Sequence, residues 1–212
     1  MTRFLAAALV LTLTAPAFAN ADLALAYEGA LSPFSVMVQP AMHAAGLEKV
    51  AAHRPAFGTI EGQLDGAPVS LRLDRRAWTI AGAVAGQGVD IHIDQDQRTI
   101  TGQALGAPVA LSFDWSDQRI DERGQAVGGQ VELLLDWTDR VLTGTVNGAP
   151  LRVAFDLDGQ HLTGSAGNDG VDLAYDNVSG RMTGTIGARS IDVTMTNMEL
   201  ADFLQYFFLF LK

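Results

Sequence analysis

Six aspartates, Asp74, Asp94, Asp114, Asp136, Asp156 and Asp176, recur at one position of a repeated pattern in the 212-residue chain. Carboxylates can do acid–base work, and several together can hold a divalent cation. Glycoside hydrolysis needs two carboxyls in unlike environments, one of them with a raised pKa. Repetition makes environments alike, so the row reads as structural: solvated, arginine-paired or ending strands. Weak divalent-cation binding is the alternative. The four histidines lack the short spacing of a helical metal pair. His43 and His53 precede the repeats, whereas His92 and His161 fall on polar faces of different units. G-x-S-x-G, P-loop and H-E-x-x-H motifs are absent, and the chain has no cysteine. The residues therefore predict no catalytic centre, no metal site and no cofactor.

The aspartates belong to a unit of about twenty residues. Seven segments begin at Ile60, Ile80, Ile100, Ile120, Leu142, Leu162 and Met182. Each holds two runs that alternate apolar and polar residues, the period of a strand. The runs meet at a glycine-bearing pair such as Asp65-Gly66 or Asn147-Gly148, the composition of a tight hairpin turn. With Asn147-Gly148 as the turn, Val146 faces Ala149, Gly144 faces Leu151 and Leu142 faces Val153, all on one apolar face. A slip of one residue would send every apolar side chain to water. The pattern predicts an all-β, antiparallel meander of seven hairpins, about fourteen strands, curled or closed into a barrel.

A parallel β-solenoid with one rung per repeat is the competing fold. It would stack the aspartates about 4.8 Å apart as an uncompensated carboxylate ladder. A meander places a strand between them and gives cross-strand partners: Arg119 for Asp114, His161 for Asp156, Arg181 for Asp176.

An apolar sheet face must be covered. A glycine row, Gly62, Gly82, Gly102, Gly124, Gly144, Gly164 and Gly184, crosses its middle, which implies strong curling or a tightly packed partner. Two segments could serve as that partner. Residues 40–52 read as a short helix. Thr196 to Glu199 reads as a capping box opening a hydrophobic helix over 198–212, with Glu199, Asp202 and Gln205 as a polar stripe. That helix is expected to pack on or inside the sheet. Its alternatives are a protein or membrane-surface contact through Phe203, Phe207 and Phe208. Trp78, Trp115 and Trp137 fall at one end of the hairpins, as core at a barrel mouth or as ligand or rim contacts. The fourth unit carries two extra residues around Asp121, Glu122 and Arg123, read as an irregular loop where function would concentrate.

Residues 1–19 (MTRFLAAALVLTLTAPAFA) have a charged start, an apolar run and an A-x-A end, the pattern of a secretory signal peptide. The expected organisation is signal peptide 1–19, N-terminal segment 20–57, repeat domain 58–197 and C-terminal helix 198–212. A net charge of −10 argues against nucleic acid as a partner. The chain is expected to be exported, to the periplasm or beyond, with the outer membrane ranked below these. The expected function is that of a non-catalytic structural or binding scaffold. The alternatives are a periplasmic carrier of a lipid or other apolar small molecule, which a tightly filled interior would oppose, and a small outer-membrane barrel.

Overall fold

The structure, a computed structural model, describes residues 55–116 and 118–211. The expected signal peptide and the expected helix over 40–52 lie outside the described residues. Fourteen strands follow one another: β1 (Phe57–Leu64), β2 (Ala67–Asp74), β3 (Thr79–Val84), β4 (Gln87–Asp94), β5 (Thr99–Ala104), β6 (Ala107–Ser116), β7 (Arg119–Ala126), β8 (Gly129–Asp136), β9 (Val141–Val146), β10 (Ala149–Asp156), β11 (His161–Ala166), β12 (Asp169–Asp176), β13 (Arg181–Ile186) and β14 (Arg189–Thr196). Each pairs antiparallel with the next, and β1 pairs with β14, so the meander closes into a barrel. Closure removes both free sheet edges. It also excludes the solenoid.

The register follows the alternation. Val146 faces Ala149, Gly144 faces Leu151, Leu142 faces Val153 and Phe155 faces Leu162. The aliphatic set points inward and is buried, from Ile60 in β1 to Met195 in β14. Seven tight turns form one rim. In five of them both central residues have positive φ, as in Asn147 (+54°) and Gly148 (+78°), which a type I′ turn requires. Gly167 (+63°) and Gly187 (+61°) instead stand first in their turns, the order a type II′ turn takes.

The glycine row is explained by the wall itself. Its members have φ between +140° and +159°. A Cβ on Gly144 would collide with the carbonyl oxygen of Glu132 on the adjacent strand. Neighbouring strands therefore approach too closely, and bend too sharply, for any side chain at this level.

A barrel of about eight strands is filled by its own side chains, whereas one of sixteen or more leaves a channel. Fourteen strands need an additional occupant. The chain after β14 supplies it: a short helix α1 (Leu200–Gln205) and a 3₁₀ turn (Phe207–Phe210), with every residue from 200 to 210 buried. These residues join one hydrophobic cluster with the inward face of the wall. The helix is shorter than the sequence reading of 198–212, and it starts later. Thr196 ends β14, Asn197 turns the chain with φ +54°, and Glu199 is the N-cap. The box closes on Asp202, whose carboxylate accepts the Glu199 N–H at 3.1 Å.

Candidate functional site

The second rim carries the longer turns, and here the aspartate row acts. Asp136 ends β8 and accepts the N–H groups of Thr138 (2.9 Å) and Asp139 (3.0 Å). Asp74, Asp94, Asp156 and Asp176 accept turn amides in the same way. These N–H donors hold the carboxyls of Asp74, Asp136 and Asp156 below the usual range; for Asp176 the Ser179 hydroxyl is the larger cause. The row ends strands, one of the roles the sequence allowed. Among the described residues no group of three or more acidic or histidine side chains could hold a metal ion.

Asp114 departs from the row. The two extra residues of the fourth unit lengthen β6 to ten residues and β7 to eight. Asp114 therefore faces Asp121 and is met by Arg98, while the expected partner Arg119 pairs with Asp136 at 2.8 Å. His161 and Arg181 stand opposite Asp156 and Asp176 as expected. Their side chains reach elsewhere, however: His161 to Asp172 (2.9 Å) and Arg181 to Asp192 (2.9 Å).

Asp121, Glu122 and Arg123 thus lie in a strand, not in an irregular loop. Asp121 and Arg123 face outward and form a two-point pair at 2.8 and 2.6 Å. Glu122, between them, faces inward and is 2% exposed. The signal was legible: Ile120 and Gly124 belong to the apolar face, so the residue midway between them must share it. Because the insertion is even-numbered, it keeps the alternation and adds one inward position, filled by a carboxylate.

Opposite Glu122 in the wall stand Phe113 and Leu133. Across the lumen is the segment that fills the barrel. Ile120, Glu122, Leu133, Leu135 and Leu142 of the wall line a small void with Leu204 and Gln205 of α1. Its volume, about 10 Å³ for the centre of a water-sized sphere, leaves room for about one water molecule. Neither Glu122 carboxylate oxygen has a hydrogen-bond partner, nor has the Tyr206 hydroxyl. Burial, with a smaller push from Asp121, raises the Glu122 carboxyl to about 8. Burial also raises Tyr206 well above its ordinary value, with Glu122 and Asp202 adding to the shift. Of the polar stripe expected on this segment, Asp202 and Gln205 are buried, while Glu199, the N-cap, is half-buried.

The stripe is anchored at the longer-turn rim. Arg75, in the turn after β2, reaches Asp202 at 3.4 Å and donates to the carbonyl of Asn197 at 2.7 Å and of Pro55 at 3.2 Å. Nothing in the repeat marks Arg75 for this contact. Phe203, Phe207 and Phe208 are fully buried, and Phe203 packs edge-on against Phe207 at 5.6 Å. A protein or membrane contact through these three rings would require the segment to leave the lumen.

The three tryptophans do reach one rim, half-buried against the core. Trp78 closes the β2–β3 turn with φ +53°. Trp115 stacks on Phe113 at 4.9 Å with Arg98 over its ring, and Trp137 meets Phe155 edge-on at 5.5 Å.

Fold and interior together define a class: a closed fourteen-strand antiparallel barrel filled by its own C-terminal segment. Comparison with family models, with curated proteins and with solved structures finds no match.

Proposed function

We propose that this chain is an exported, non-catalytic scaffold of the bacterial envelope or the space beyond it, working through its outer wall and its tryptophan-bearing rim. The carrying observation is the self-filled interior, where residues 200–210 are buried in one hydrophobic cluster with the wall and the void beside Glu122 has room for about one water. A carrier of lipid or another apolar ligand needs that volume free, so the filling weighs against the carrier reading. A membrane barrel needs an apolar outer band about 25 Å tall. Outward positions such as Asp90, His92, Arg152, Asp172 and Asp192 are instead polar and exposed, which weighs against an outer-membrane reading. Export rests on the pattern of residues 1–19.

The test is expression of the whole gene product in a Gram-negative host, followed by fractionation, N-terminal sequencing and native mass spectrometry. The scaffold reading expects a start at Asn20, release without detergent and a mass equal to the polypeptide alone. An uncleaved cytoplasmic product would refute export. A need for detergent would favour the membrane barrel, and co-purified lipid the carrier.

A further inference from the structure

Among the described residues, the buried inward face of the wall is apolar except at one position. Glu122 is a carboxylate in an aliphatic lumen, where an unmatched polar group is costly. It faces neither the rim nor solvent, but the segment that fills the barrel. That segment is joined to the wall through the turn at Asn197, and Arg75 clamps both this turn and Asp202. The segment therefore packs in the lumen and joins the wall covalently through this one turn, with a buried ionisable group beneath it.

We propose that residues 199–211 are a releasable plug, and that Glu122 couples release to pH, its carboxyl neutral while the plug is seated and ionised once the plug has swung out. The surroundings of Glu122 favour the neutral form. From β6 and β8 the residues opposite are Phe113 and Leu133, with no charge to offer. On its own strand the neighbour Asp121 is acidic, and Arg123 is committed to Asp121. From the plug come Gln205, the Tyr206 hydroxyl and, farther along, Asp202, whose charge is met by Arg75. No cation among these groups is directed at the Glu122 carboxylate. The plug therefore stays seated most firmly when Glu122 holds a proton, and it must shed that proton to be released at neutral pH.

The direction of the pH effect follows from linkage. The seated carboxyl titrates near 8 and an exposed glutamate near 4.5. Below the lower value both states are protonated, and the contribution to seating is complete. Between the two values each pH unit multiplies the release equilibrium tenfold, and above the upper value the effect levels off. From pH 5 to pH 7.5 release should grow about 200-fold, because the slope is already reduced near each end.

Hydrogen exchange of the whole purified chain, read by mass spectrometry on peptides covering residues 198–211 and corrected for intrinsic exchange, measures this directly. The wild-type peptides should show this rise of about 200-fold between pH 5 and 7.5, while β3 to β5 stay protected. In Glu122→Gln the rise should vanish. If that variant does not fold, Glu122→Leu, which suits the aliphatic lumen, should show the same flat profile. An equal rise in wild type and variant would overturn the role of Glu122. Exchange of the segment in step with the strands would overturn the plug.

Discussion

The glycine row makes the most exacting prediction, because three glycines of the same barrel isolate three different causes. Gly144→Ala places a methyl group at φ +146°, against the carbonyl oxygen of Glu132. Such a backbone conformation costs a non-glycine residue about 1–3 kcal/mol. Relieving the collision must separate β8 from β9, weakening ladder hydrogen bonds worth roughly 1 kcal/mol each. The expected loss is therefore about 3–5 kcal/mol. Gly148→Ala sits at φ +78° with nothing within 4 Å of the new methyl, so only the left-handed strain applies, about 1 kcal/mol. Gly170→Ala, in β12, has open space and no such φ, and should be neutral or slightly stabilising. At roughly 2–4 °C per kcal/mol for a chain of this size, melting should fall by about 10 °C, by a few degrees and not at all. Urea unfolding followed by tryptophan fluorescence and by circular dichroism gives the order directly. A Gly144→Ala protein melting within 2 °C of wild type would refute the close-approach explanation. So would a Gly148→Ala protein less stable than Gly144→Ala.

Other perturbations test the remaining contacts. Arg75→Ala removes a cation from the fully buried Asp202 and the clamp on the Asn197 turn, and should cost about 3 kcal/mol, measured by the same urea titration. Asp136→Ala removes the acceptor of two turn amides and the partner of Arg119, and should cost about 2 kcal/mol. Because their folded carboxyls titrate below the ordinary value, Asp74, Asp136, Asp156 and Asp176 stabilise the fold fully above about pH 4, and acid titration should show that contribution disappearing below it. Truncation before Met198 removes four fully buried phenylalanines, each worth about 1.5–3 kcal/mol, which together rival the stability of a whole domain. The shortened chain should keep the far-ultraviolet circular dichroism of a β-protein but bind a hydrophobic dye and melt well below wild type; a sharp melt near the wild-type temperature would show that the segment is dispensable.

What the sequence revealed is what depends on local spacing. Hairpin register could be read from Leu142, Gly144 and Val146 because a two-residue turn fixes which residues face one another. The strand-ending role of the aspartates was one reading of their position, and the turn amides select it. Closure was left open in the sequence, because the pairing of β1 with β14 joins residues far apart in the chain and no local pattern encodes it. The fourth unit misled because two added residues looked like a loop, although an even insertion lengthens a hairpin without breaking its alternation. The same parity put Glu122 in the lumen and moved Arg119 from Asp114 to Asp136. Arg75 was silent for another reason: its partners Asn197 and Asp202 lie at the opposite end of the chain, and only closure brings that end to the turn after β2.

The pairing of β1 with β14 also sets an order of events in folding. Thirteen of the fourteen strand pairings join neighbours in the chain and can form as each hairpin appears. The last joins the first strand to the final one, as Ile60 does with Met195. Until β14 exists, the growing sheet keeps two open edges and an uncovered aliphatic face, the features that make incomplete β-structures aggregate. The residues that fill the lumen come later still. The slow step should therefore be joint ring closure and filling, and the unfinished chain would be the form most in need of a chaperone.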